Sequence, residues 1–467
     1  MKKLIIPLLL LLFINISFAQ ESLEYQTPPS EIMELVDAPL APAVIIDSKG
    51  DQVVLLYRDQ YKSIAELSEK ELRLGGLRIN PKTNIGSRTT YYNNMKVKKA
   101  SERDPRQVNG LPNNARLSNF RVSPDEKMIA FLNTLPNKVE LWVTDIEKAT
   151  ARKLSSQPVN ANLGYAINWF NDSNSLLIKT VPQNRKNLID TSEAIPEGPT
   201  VTVSEGEKAQ NRTYQDLLAN ANDEFNFEQL TLSDIKKVSL DGTVSDFLPT
   251  AMYRAINFSP DGNYVMATII KRPFSYLVPF SRFPFETNIY NTSGELVTTI
   301  ADIPLNEVMP KGFMAVREGK RSIAWRADKP ATLYWAEALD QGDPEVEVEF
   351  RDAVYQLDAP FNGTPKLLLK TQQRYSGITW GNDHTAIAND YWWNTRNTKT
   401  YIFNPSNSAQ QPKVIFDRNY QDQYSDPGSF VTTRNQYNQR VLDIHNDRAY
   451  LIGDGFSEKG QFPFIDE

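Results

Sequence analysis

Side chains able to do covalent chemistry are scarce in this sequence. It holds two histidines, His384 and His445, and no cysteine. A Ser-His-Asp hydrolase needs an exposed serine, usually at Gly-x-Ser-x-Gly, with a histidine base. The nearest stretch, Gly455-Phe456-Ser457-Glu458-Lys459, lacks the final glycine, and both histidines lie in polar turns. No catalytic residue is assigned. Two isolated histidines without cysteine cannot make a zinc cluster of ordinary spacing, and neither a Walker-type nor a dinucleotide-binding glycine loop is present. No metal and no cofactor is therefore expected.

What remains is binding chemistry. Residues 271–286 place Arg272, Tyr276 and Arg282 among phenylalanines and prolines. Arg326 follows Trp325, and Arg396 follows the aromatic run Tyr391-Trp392-Trp393. A guanidinium held in an aromatic rim grips a carboxylate with two parallel hydrogen bonds. For each arginine the competing reading is a structural pair with one of the 57 acidic residues. The net charge of −6 and the lack of a long basic stripe with interleaved aromatics argue against nucleic acid as a partner.

The elements that must position these residues follow a recurring phrase, clearest at Ser259-Pro260-Asp261-Gly262. A hydrophobic residue leads into a polar turn, and a run of alternating or β-branched residues follows, which spells strand, tight turn, strand. Copies begin near residues 47, 123, 170, 259, 326, 381 and 445. Between them lies a second hairpin phrase, as at Leu141–Leu154, Val238–Val244, Tyr290–Val297, Tyr355–Leu369 and Tyr401–Phe416. Units of roughly 40–50 residues with variable loops fit four-stranded propeller blades. The expectation is an all-β, seven-bladed β-propeller over residues 46–467, with six full blades and a truncated seventh. Residues 182–224 read as an excursion from one propeller face, and residues 271–286 as a second excursion of the kind a binding rim would use. The basic run Lys96-Val97-Lys98-Lys99 reads as a solvated loop.

At the N-terminus, two lysines, a short apolar run and small residues at 17 and 19 form a secretory signal peptide (1–19), with cleavage expected after Ala19. It is too short for a permanent membrane span, and without cysteine no lipid anchor through that residue is available. The expected location is exported, periplasmic or extracellular. Residues 20–45 form an extended segment with one short helix, capped at Ser30 and ended by Pro39.

Three longer phrases carry a family resemblance: Pro28-Pro29 with the stretch from Ile32 to Pro39, the excursion from Arg272 to Pro284, and above all Trp325 to Asp343. Together they resemble the prolyl oligopeptidase family of serine peptidases, most closely its glutamyl-endopeptidase-like branch, over essentially the whole mature chain. The resemblance implies an N-terminal propeller ahead of a C-terminal α/β-hydrolase domain, with peptide cleaved in a cavity between them. The propeller then filters peptides by size and supplies binding groups. This sequence departs from the pattern in lacking the hydrolase half with its Ser, Asp and His. It is expected to be the non-catalytic propeller portion, binding peptide for a hydrolase domain in cis or in trans. The other reading is a stand-alone periplasmic propeller that acts as a binding or scaffold module.

Overall fold

The computed structural model describes residues 26–190 and 213–467. The signal-peptide assignment and the centre of the 182–224 excursion lie outside these residues. Residues 26–41 and 59–61 belong to a small separate unit. It contains the expected short helix, Ser30–Val36. The cap differs from expectation. Pro29, not Ser30, precedes the helix, no side chain caps it, and the Pro29 carbonyl accepts from the amides of Ile32 and Met33. Proline supplies a pre-set φ at this position, so Ser30 becomes the first helical residue instead of the cap.

The larger unit is a succession of antiparallel meanders. The first sheet joins Ala43–Ile46, Gln52–Tyr57, Asn94–Lys99 and Arg106–Gln107, and the second joins Leu117–Val122, Met128–Leu135, Lys138–Asp145 and Thr150–Ser155. The third and fourth share the 15-residue strand Val244–Phe258. Its first half pairs with Ser233–Ser239 and its second half with Tyr264–Ile270. The fifth sheet runs over Arg321–Trp325, Thr332–Ala338, Asp352–Asp358 and Lys366–Thr371, and the sixth over Arg374–Trp380, Ala386–Trp392, Asn397–Phe403 and Lys413–Asn419. These are blade-type sheets, and the all-β, propeller-like character expected from the sequence is observed.

Six of the seven turn phrases link the first strand of a sheet to its second. An acidic or amide side chain organises most of them. Asp261 Oδ1 accepts from the Ser259 hydroxyl (2.6 Å) and the Asn263 amide (3.0 Å), while Gly262 sits at φ +76°. Asp47, Asp125, Asp172 and Asn382 do the same work. His384 belongs to such a turn, and its amide donates to Asn382.

Successive turns touch one another. Ser48 bonds Glu126, the Asp125 amide bonds the Ser173 hydroxyl, Asn171 bonds the Pro260 carbonyl, the Asp261 amide bonds the Pro330 carbonyl, and Lys329 pairs with Asp383.

The seventh phrase is different. Ile444–His445 pairs only with Arg448–Ala449, because Asn446 and Asp447 both adopt positive φ and close a two-residue hairpin. His445 lies there beside Asp443 (2.9 Å), exposed. The five-residue turn of this region is Asn435–Gln439, where Asn435 Oδ1 accepts from the Tyr437 and Gln439 amides. Its flanking strands, Thr432–Arg434 and Arg440–Leu442, form a two-stranded ribbon. Asn435 donates to the Ala327 carbonyl (2.7 Å) and Asn438 to the Pro124 carbonyl (3.0 Å). The ribbon thereby bridges the turns of the fifth and second sheets. A three-stranded sheet, Ser429–Phe430, Leu451–Gly453 and Phe464–Asp466, accompanies it.

The basic run 96–99 is a strand, not a loop. Met95 and Val97 face the core, and the lysines alternate with them, a period of two that three charges within four residues conceal. Among the described residues no helix is long and apolar enough to cross a membrane, and no cluster of three or more acidic or imidazole groups could hold a metal.

Candidate functional site

In a meander, successive turns lie at opposite ends of the sheet. The turns between second and third strands therefore emerge at the end away from the contacting first turns. Four long connections are of this kind: 62–93 in the first sheet, 181–232 in the third, 271–284 in the fourth and 339–351 in the fifth.

Three of them build a core of their own. The first supplies Leu74 and Ile79, the second Leu218, Phe227 and Leu230, and the third Phe274, Val278 and Phe283. Phe227 meets Phe274 and Phe283 edge-on (5.2 and 5.6 Å), and those two stack on each other (5.3 Å). Gly75, at φ +58°, lets the first loop run against the Phe227 ring, where a Cβ would stand 3.3 Å from the ring edge. Its carbonyl takes the Phe280 amide (2.7 Å).

The helix Ala221–Thr231 brings Phe227 into place. Asn220 caps it by accepting from the Asp223 amide (3.0 Å).

The sequence-derived candidates divide by this geometry. Arg272, Tyr276 and Arg282 share the 271–284 loop. Arg272 is held by Glu228 through two hydrogen bonds (3.1 and 3.0 Å) and by Glu224 (3.1 Å), and it lies over Phe274. Tyr276, 43% exposed, stands on the rim, and Arg282 lies over Tyr214 (5.2 Å). Arg396 is at the same end of the sheets but in the sixth, at φ +57°, stacked on Trp393 (3.7 Å) and within 3.3 Å of the Tyr420 hydroxyl. Arg326 is at the opposite end, in the first turn of the fifth sheet. It is 2% exposed, pairs with Asp328, donates to Gln356 and lies over Trp380 (4.2 Å).

A cluster the sequence did not single out lies between the fourth and fifth sheets. Arg254, Thr268, Ser281, Phe285, Arg317 and Arg321 line a cavity of about 360 Å³. Arg254 and Arg317 both lie over the Phe285 ring, at 5.6 and 5.5 Å. Arg254 donates to the Ser281 carbonyl (3.4 Å), and Arg317 to the carbonyls of Glu318 (2.8 Å) and Lys320. Arg321 reaches Asp352 (2.5 Å). Burial, and then the neighbouring Arg321 and Arg254, push the Arg317 guanidinium down to about 10, and burial lowers Arg254 too. Gly342 supports the wall: it is at φ +78°, and a Cβ there would stand 2.0 Å from the Val316 carbonyl, next to Arg317. The signal in the sequence was the basic stretch Arg317-Glu318-Gly319-Lys320-Arg321, which falls between two turn phrases.

No protein-family model matches the chain. Among curated proteins it is 35% identical over 463 residues to a probable chloroplastic glutamyl endopeptidase of Oryza sativa subsp. japonica, covering 95% of this chain and 49% of that protein. A protein of the same description from Arabidopsis thaliana is 34% identical over 461 residues, covering 95% and 48%. Over almost its whole length the chain is thus similar to proteins described as glutamyl endopeptidases. It spans about half the length of the curated relatives it matches. Solved structures similar to it include Porphyromonas gingivalis dipeptidyl peptidase 4 (TM-score 0.44, 13% identity, 89% of this chain and 57% of that one). Another is the acylaminoacyl peptidase of Pyrococcus horikoshii (TM-score 0.39, 11% identity, 93% and 52%).

Proposed function

We propose that this chain is the propeller portion of an exported glutamyl-peptidase-like serine peptidase, in which six four-stranded blades and the start of a seventh present one loop-bearing face to peptide and to an α/β-hydrolase domain. The observation that carries the reading is the set of long second-to-third-strand loops, gathered at one end of the sheets around the Phe227 core. Loops set on a rigid scaffold are where binding groups are placed. The activity for which the relatives are named, glutamyl endopeptidase, matches a face furnished with arginines. Hydrolysis itself is assigned to the partner domain, which supplies Ser, His and Asp. On this reading Arg272, Tyr276, Arg282 and Arg396 form the rim that guides peptide. The Thr432–Leu442 ribbon restricts passage at the opposite end, where Arg326 acts as a clamp between strands.

Joining the chain to the hydrolase domain of a glutamyl endopeptidase tests the proposal. The joined protein is expected to cleave short Glu-containing peptides and to spare folded proteins. The isolated hydrolase domain should lose that size discrimination and at least about tenfold in kcat/KM, the effect of about 1.4 kcal/mol of lost positioning. Equal kcat/KM and equal size discrimination with and without the chain would reject the proposal and favour a stand-alone binding module.

A further inference from the structure

We propose that the cavity formed by Arg254, Arg317 and Arg321 is a carboxylate-binding site that receives an acidic side chain of a bound peptide. The inference rests on the peptide-binding reading above and adds to it the residues that select for acid.

Three guanidinium groups line one cavity of about 360 Å³. Among the described residues neither Arg254 nor Arg317 has a carboxylate within ion-pair distance, and both spend donors on main-chain carbonyls. Among the described residues the carboxylate in reach is Asp352, paired with Arg321 and already committed. Besides Arg321 it accepts from Arg374 (3.2 Å) and from the Tyr375 amide (2.8 Å). Arg321 Nε is buried without a hydrogen-bond partner. Partly desolvated like charges repel, and an unsatisfied buried donor is costly. An incoming anion relieves both.

The Phe285 ring lies beside Arg254 and Arg317, giving an apolar surface for methylenes next to paired forks for oxygens. Guanidinium forks match a carboxylate in a plane, and the Thr268 and Thr287 side chains add hydroxyls to the lining.

Arg254 and Arg321 stand near the beginnings of the first strands of adjacent sheets, the ends opposite the first turns at 259–263 and 326–331. Ser281 and Phe285 come from the 271–284 loop and the strand that follows it. The cavity is therefore at the loop end. Arg272 is a weaker anchor because Glu224 and Glu228 already neutralise it.

Fluorescence anisotropy with the full chain provides the test, using two end-blocked, labelled peptides that differ only in one Glu or Gln. The Glu peptide is expected to bind about tenfold or more tightly, the 1.4 kcal/mol of one charge-assisted interaction. Arg254→Met and Arg317→Met should bring the ratio to near one without weakening the Gln peptide. Lys127→Met, at the exposed first turn of the second sheet, should keep the ratio. If a methionine variant does not fold, inorganic phosphate as competitor decides: it should displace the Glu peptide and leave the Gln peptide bound. Equal binding of the two peptides by the unmodified chain overturns the site and leaves the peptide-binding reading standing, as does an unchanged ratio in both variants. If neither peptide binds, while phosphate raises the melting temperature of the unmodified chain but not of Arg317→Met, the cavity takes a small anion only. The acidic-peptide proposal and the reading beneath it then both fall.

Discussion

Asp352→Asn is expected to destabilise the chain by about 3–5 kcal/mol, the cost of breaking a buried ion pair and leaving its partners uncompensated. Asp352 is fully buried, and its carboxylate serves Arg321, Arg374 and the Tyr375 amide. Arg374 is buried as well. It also binds Asp340 (2.8 Å) and the Met314 carbonyl (2.8 Å), and Asp340 in turn pairs with Arg351 (2.8 Å). Two aspartates and three arginines thus form one network that joins the fifth sheet, the sixth sheet and the 339–351 loop. Asparagine preserves shape and removes the charge, so Arg321 and Arg374 share too little acceptor capacity. Urea unfolding of the variant and the parent measures the loss. A change below about 1 kcal/mol, typical of an exposed pair, would show that water already relaxes the network. Because Asp352 also restrains Arg321, the same variant should disturb the arginine cavity.

Phe227→Ala comes next in size. Phe227 is fully buried at the centre of the loop core, and deletion of a buried phenylalanine costs about 3–5 kcal/mol. The consequence should be local. The meanders do not depend on this ring for their pairing, whereas the first, third and fourth loops all meet at it. Limited proteolysis is expected to cut the variant within 62–93, 213–232 and 271–284 well before the sheets open, with peptide affinity lost in parallel. Cleavage spread evenly over the chain would mean that the loop core is not a separate cooperative unit.

How much of this was legible in the sequence depended on how local the governing physics is. The turns at 47, 123, 170, 259 and 381 could be read directly, because an Asp or Asn side chain folds back on amides two to four residues away and writes its own signature. The hairpins between third and fourth strands followed for the same reason. At 444–452 an identical-looking phrase closed as a two-residue hairpin, and the longer turn formed at 435–439 instead. At 446–447 both residues take positive φ, the backbone that a two-residue hairpin requires.

The helix Ala221–Thr231 escaped notice because part of its buried face is polar. Asn226 exchanges hydrogen bonds with the Ile189 amide and carbonyl (2.8 Å each), and Gln229 accepts from the Lys186 amide (2.9 Å). An apolar stripe of helical period is therefore interrupted where the helix is most buried. Among the arginines, type and aromatic neighbours pointed to 272, 282, 326 and 396. Which guanidinium keeps a free fork depends on carboxylates brought from other loops, such as Glu224 and Glu228 to Arg272. Arg254 sits inside a strand and Arg317 in the connection 304–320, and only the adjacency of the fourth and fifth sheets brings them to one ring.

The central claim is that peptide meets the loop end of the sheets, and photo-cross-linking measures this most directly. A Glu-containing peptide carrying a diazirine next to the acidic residue is irradiated with the full chain, and the attachment points are mapped by mass spectrometry. The account predicts labels within 271–286 and 316–323, suppressed by unlabelled Glu peptide. Labels concentrated at the opposite end, on the turns at 326–331 and 435–439, would contradict it.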